Sequence, residues 1–238
     1  MTGGNLYEKH FMKNLRSSIQ DVVQSGAIRG GSLETILPEF YTLRDCIEIN
    51  PWHDHQSVFD HTTACLAAFE EFLDELDFAT KKHDVALAAY LKTHVYGISH
   101  ADLIRLGILF HDIAKPVTFT TDAATGMTNC PDHEVHSALS TIGMAHVFDL
   151  PKGTVRTIAQ LALLHMTANT VVNTAMSEAP DEIFDAFHGV VADLYIPLLL
   201  LAKCDAKGSD FPLLDKPQFE KRDACIDGAI HRFSLALK

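Results

Sequence analysis

Between Leu103 and Pro116 the chain reads Leu-Ile-Arg-Leu-Gly-Ile-Leu-Phe-His-Asp-Ile-Ala-Lys-Pro, apolar on nearly every side of a helix apart from Arg105, with three polar side chains gathered near its end. A helix apolar all round belongs in a core, so the adjacent His111 and Asp112 need a buried partner there. A metal ion is the economical one. Neighbouring helical positions point about 100° apart, which lets an imidazole and a short carboxylate converge on one cation near the helix end. Lys115, four residues after His111 and three after Asp112, overhangs the same patch. Pro116 disfavours helical geometry at Lys115 and is expected to stop the element there.

Composition agrees with metal chemistry and excludes several other classes. Fourteen histidines in 238 residues is the oddity, and mixed imidazole and carboxylate sets suit divalent transition metals. Nineteen basic against 31 acidic side chains leave a net charge of −12, which argues against a nucleic-acid surface. It leaves room for a small anion held by a metal. Cys46, Cys65, Cys130, Cys204 and Cys225 are scattered without a Cys-x-x-Cys pair, so they read as reduced and structural, in a cytoplasmic compartment. The first residues lack the apolar segment of a signal peptide. The uncharged run Leu194–Ala202 is shorter than the ~20 residues of a membrane span and contains Pro197, so a buried helix is expected.

In chain order, a helix is expected over Leu6–Val23 with a stop at Gly26, and another from Leu33 toward Cys46 with Pro38 early in it or dividing it. Asn50–His55 reads as a loop feeding Ser57-Val58-Phe59-Asp60, a capping-box-like start of a helix to about Leu76 that carries His61 one turn in. A helical stretch over Val85–Leu91 and a turn at Gly97 precede the His-Asp helix. The β-branched residues around Gly126 predict a short hairpin. Asp132 is expected to cap a helix to about Phe148, with His133 in its first turn and His136 almost above it. Pro151 starts a helix ending near His165, followed by a loop over 167–181. Helices then cover 182–194, 195–205 and 219–235, with a turn-rich connector over 208–217.

Five elements thus deliver His or Asp near a helix end: His61, the His111-Asp112 pair, His133, His165 and Asp205. Each alone reads as an ordinary solvated or hydrogen-bonded residue, and it is their order that is informative. That order resembles the HD superfamily of metal-dependent phosphohydrolases, all-helical proteins named for the adjacent His-Asp pair. The matching positions are His61 in Val58-Phe59-Asp60-His61-Thr62, His111-Asp112 in Leu109–Pro116, and Asp205 in Leu201-Ala202-Lys203-Cys204-Asp205. Asn50-Pro51-Trp52-His53, Lys115-Pro116, the hairpin, Asp132-His133-Glu134 and Leu164-His165-Met166 resemble more closely the HD domain attached to bacterial tRNA nucleotidyltransferases. The resemblance covers about residues 33–205, within one HD-type domain spanning 1–238. No Gly-Ser pair followed by an Asp-x-Asp strand marks a nucleotidyltransferase head, so the chain reads as an HD domain standing alone, without tRNA end repair.

The resemblance implies an all-α helical bundle with a short hairpin after the His-Asp helix. It implies a first metal site of His61, His111, Asp112 and Asp205, and a second completed by His133 and His165 with Asp112 bridging. One or two divalent ions are implied, with Mn, Fe, Ni, Co, Zn and Mg all admissible. Hydrolysis of a small phosphate ester, a nucleotide, phosphomonoester or cyclic phosphate, is the leading expectation. Asp112 would orient the attacking water, Lys115 would face the phosphoryl oxygens and His136 would touch substrate. For Lys115 the plainer alternative is a helix C-terminal lysine satisfying carbonyls. Some relatives with a similar ligand set hold two irons and oxidise substrates with oxygen, and a metal-containing regulatory module without turnover is a third reading. No stable nucleic-acid partner and no membrane are expected, and a homodimer is one arrangement the sequence allows. His53 and His55 could belong to the entrance or be bystanders; the remaining histidines read as solvated or packed.

Overall fold

The computed structural model describes residues 19–78 and 81–235 of the chain. Most of the expected Leu6–Val23 helix lies outside them, and Ile19–Val22 is helical. Gly26 does not stop it. Gly26 lies within a short helix, Ser25–Arg29, whose first turn is pinned by Glu70 accepting from the Ser25 amide at 2.7 Å and hydroxyl at 2.6 Å. The continuous helix expected from Leu33 is also absent, with only Pro38–Tyr41 α-helical before a 3-10 turn over Thr42–Asp45. Leu37, which precedes Pro38, is driven out of helical geometry to φ −139°, ψ 61°. Leu33, Leu37, Phe40 and Leu43 are nonetheless buried, so the apolar spacing marked burial correctly and secondary structure poorly.

The expected loop over Asn50–His55 is an antiparallel hairpin, β1 (Ile47–Asn50) with β2 (His53–Ser57). His55 is skipped in the register and takes a left-handed φ of 63°, a bulge that leaves His53 buried and His55 exposed. Helix α1 (Val58–Asp77) follows, with the Ser57 hydroxyl accepting from the Asp60 amide at 3.0 Å, as its capping sequence predicts. Next come α2 (Lys82–Lys92), a two-residue-strand hairpin of β3 (His94–Val95) and β4 (Ile98–Ser99), and α3 (His100–Phe110).

The His-Asp pair sits just beyond α3 rather than in its last turn. His111 is the C-cap, residues 111–114 form a turn, and Lys115–Thr118 begins a new short helix with Pro116 in its first turn. Pro116 therefore starts an element instead of ending one, because its missing N–H is no loss in a first turn. The predicted hairpin follows as β5 (Thr120–Thr121) with β6 (Thr128–Asn129).

Helix α4 (His133–Met144) begins at Asp132, but that residue adopts a left-handed φ of 55° and makes no side-chain cap. Helix α5 (Lys152–Ala175) runs ten residues past His165, in place of the expected loop. Val172 and Ala175 are buried against the core, and tertiary packing of that face overrides the weak local propensity of the Thr- and Asn-rich stretch. Helices α6 (Pro180–Val191), α7 (Tyr195–Gly208) and α8 (Lys216–Ser234) complete the chain.

The architecture is all-α with small two-stranded hairpins. Its axis is α7, which is buried over Tyr195–Ala202 and packs against α1, α3, α5 and α8. The window Pro180–Gly208 is long and apolar enough for a membrane span, but it is broken at Ala192 (φ 48°, ψ −119°), and α7 is its core-forming half. Close approach is enabled at Gly208, where an added Cβ would stand 2.5 Å from the Cys65 backbone nitrogen and thiol on α1. All five cysteines are free.

Candidate metal centre

The six residues singled out in sequence converge from five parts of the bundle. His61 comes from α1, His111 and Asp112 from the turn after α3, His133 from the start of α4, His165 from mid-α5 and Asp205 from the last turn of α7. His61, His111, Asp112, His133 and His165 are all buried. Their donor atoms form two sets, one of His61, His111 and Asp205 with Cys65 beside them, the other of Asp112, His133 and His165.

Asp112 joins the sets. Its Oδ2 lies 3.2 Å from His111 Nε2 and 3.6 Å from His61 Nε2, while its Oδ1 lies 3.2 Å from His133 Nε2 and 3.7 Å from His165 Nε2. Asp205 Oδ1 completes the first set at 3.0 Å from His61 Nε2 and 3.8 Å from His111 Nε2. Ligands about 2.1 Å from a shared ion stand roughly 3.0–3.4 Å apart at right-angled to tetrahedral positions and up to about 4.2 Å when opposite, so spacings of 3.0–3.8 Å are compatible with an ion between them.

Local backbone geometry aims the imidazoles. The Nδ1 atoms of His111, His133 and His165 each face the carbonyl three residues earlier, on Ile108, Cys130 and Ala162, at 2.7, 2.8 and 2.7 Å. A proton on Nδ1 donated there leaves the Nε2 lone pair pointing inward. His133 Nε2 and His165 Nε2 stand 3.1 Å apart, and Asp112 Oδ1 is buried beside these two ring nitrogens. Burial opposes charge on His133, but Asp112 outweighs it and raises its pKa. A proton there meets Asp112 in the metal-free protein; with the imidazoles neutral, this donor set can hold a metal ion.

The electrostatics point the same way. Burial opposes the His111 imidazolium, but Asp112 and Asp205 outweigh it and lift its pKa to about 9. Burial, with His111 nearby, instead holds His165 down at about 4. Burial also opposes charge on Asp112 and Asp205, yet the surrounding histidines, and Lys115 at Asp112, keep both carboxyls well below their usual range. Burial pushes the Cys65 thiol up, so Cys65 packs behind His61 as a protonated side chain.

Lys115 is buried and bridges Asp112 Oδ2 and Glu48 Oε2, each at 2.8 Å. It lies at a helix start, so its contacts are these carboxylates and not helix-end carbonyls. A cavity of about 670 Å³ opens above, walled by Asp112, His133, His165, Asp205 and Lys115 and rimmed by Trp52. His61 and His111 lie beneath this wall. His53 also faces the cavity, its ring 4.8 Å from that of His61, with burial and His61 lowering its pKa to about 4. His136 is exposed and lies outside the cavity lining.

Four residues of this environment escaped the sequence reading. Cys65 and Asn169 each follow a ligand histidine by four residues on one helix face, and Asn169 was hidden by ending α5 too early. Glu48 is the lone acid in Ile47-Glu48-Ile49, a weak sign of an inward charge. Arg222, on α8, carries no local signal. No protein-family model and no curated protein matches the chain.

Proposed function

We propose that this chain is a metal-dependent phosphohydrolase of the HD type, acting on a small phosphate ester such as a nucleotide, phosphomonoester or cyclic phosphate. The observation that carries this reading is the two-sided Asp112 carboxylate at the floor of an open cavity, with two ligand sets divided between its oxygens. When bound, divalent ions polarise phosphoryl oxygens and lower the pKa of water.

The chain's own part is to present that chemistry and orient it. Asp112, His133, His165 and Asp205 face the cavity, whereas His61 and His111 hold the centre from below. Lys115 fixes Asp112 Oδ2 while Glu48 compensates its charge. An ammonium has three donors, so one direction remains for an anionic oxygen of the substrate. A cavity of about 670 Å³ fits a small ligand, and the net charge of −12 disfavours long nucleic acids.

The test is phosphate release from a panel of phosphomonoesters and cyclic phosphodiesters by protein loaded separately with Mn, Mg, Ni, Co or Fe. Metal-dependent release that disappears in Asp112→Ala supports the assignment. Two irons per chain with substrate-dependent oxygen consumption and no phosphate release would replace it with the diiron oxygenase reading. Metal binding without turnover on any substrate would leave a binding module.

A further inference from the structure

The carboxylate of Asp205 has a second oxygen that does not face the histidines. Asn169 Nδ2 donates to this Oδ2 at 2.7 Å, while Oδ1 faces His61. The Asn169 carbonyl in turn accepts from Arg222 Nη2, and Arg222 Nη1 donates to the carbonyl of Asn173. This polarity is forced, because a guanidinium only donates. The amide oxygen of Asn169 must face Arg222, so its NH2 must face Asp205.

Arg222 is itself an unusual occupant of the interior. It is only 2% exposed, its Nε is buried without a partner, and it pairs with no carboxylate among the described residues. The face of Trp52 lies 5.8 Å from its guanidinium. A buried charge held by neutral amides is a poor device for stability, since an apolar side chain of similar volume fills such a space without the desolvation cost. Arg222, Asn169 and Asn173 line the same cavity as Asp205, so the charge stands at the site, and the groups its guanidinium holds there are the two amides.

We infer that Arg222 and Asn169 are positioning residues that fix the rotamer of Asp205, making the last helix, α8, part of the metal centre at one remove. With Oδ2 tied to Asn169, Asp205 offers a single oxygen to the centre. Without that tie the carboxylate is free to rotate or to turn both oxygens inward. This inference rests on the metal reading of the site.

Co2+ titration of the full-length protein tests it, read by the visible absorption of the bound ion and by its affinity, with far-UV circular dichroism of the metal-free protein as the folding control. Asn169→Ala and Arg222→Met are each expected to weaken Co2+ binding roughly 10–100-fold and to change the absorption envelope. The double variant should bind no more weakly than the weaker single variant, because both changes break one chain of contacts. Arg222→Lys keeps the charge without the fork and should restore only part of the loss. Co2+ binding by Asn169→Ala identical to the parent, or losses that multiply in the double variant, would overturn the inference. If Arg222→Met does not fold, Asn169→Ala decides alone, since Asn169 is half-buried on a helix where alanine is favourable. A parent protein that fails to bind Co2+ would overturn the metal reading and this inference with it.

Discussion

His133 and His165 meet ring to ring, Nε2 to Nε2 at 3.1 Å, although the opposite nitrogen of each is committed to a backbone carbonyl. Two ring nitrogens beside a carboxylate oxygen need positive charge between them, supplied by a proton on His133, whose pKa Asp112 raises against burial, or by a metal ion in its place. The same atoms could hold a metal ion that displaces this proton.

Metal should therefore stabilise the fold. An ion present at about 100 times its Kd contributes about 2.7 kcal/mol. For a chain of this size that corresponds to a rise in Tm of roughly 5–10 °C over protein held in chelator. Thermal scans with and without Mn2+ check this. His165→Ala should lower the metal content by one ion per chain, and Asp112→Ala should remove most of it, as elemental analysis would show.

Lys115 neutralises two buried carboxylates at once, so its removal leaves both exposed to the low dielectric. Lys115→Met should destabilise the metal-free protein by about 3–5 kcal/mol. Adding Glu48→Gln should recover part of that loss. Urea denaturation of the single and double variants measures both, and an equally stable Lys115→Met would refute the pairing as described.

The metal-free protein should be most stable near pH 6.5. His53 and His165 are held neutral in the fold, at about 4, so their contribution is present above 6.5 and is lost as pH falls toward 4. His111 is held protonated, at about 9, so its contribution is present below 6.5 and is lost as pH rises through 9. Each unmatched proton changes stability by up to about 1.4 kcal/mol per pH unit. Bound metal displaces the His111 proton, so the alkaline decline should vanish in loaded protein. Denaturation midpoints across pH 4–9, with and without metal, test both limbs.

Two glycines should respond differently to alanine. At Gly107 the new Cβ would meet Leu161 Cδ1 at 2.8 Å, the end of a buried side chain, and Leu161 Cβ at 3.4 Å. At Gly208 it would meet the Cys65 nitrogen and thiol at 2.5 Å and the Cys65 Cα at 2.9 Å, and backbone cannot turn away. Gly208→Ala should cost about 1–3 kcal/mol or more, beyond the cost of Gly107→Ala, and should also disturb Asp205 three residues earlier. Comparative denaturation and Co2+ titration separate the two.

The helical content and the third hairpin were legible in local patterns, whereas the converging His and Asp residues were legible only through their order along the chain, since each alone reads as an ordinary polar residue. The capping pair Ser57 and Asp60 sat where its sequence placed it. What escaped reading depends on distant partners. Pro116 can end or begin a helix, and only the burial of Lys115 between Asp112 and Glu48 selects the second. The extension of α5 past His165 depends on packing of Val172 and Ala175, which polar neighbours in the sequence disguise. Arg222 is one charged residue in a polar amphipathic helix until the fold brings it against Asn169.

The ligand set is collected from residues 61 to 205, and the brace at Arg222 arrives later still. A chain still being synthesised therefore lacks the last carboxylate and its support, and the centre matures only when α7 and α8 dock. If the α8 brace docks after the folding transition state, metal should slow unfolding more than it speeds folding, which refolding and unfolding rates with and without metal would show. The bound ion would then serve as a latch on a finished bundle, not as a seed for building it.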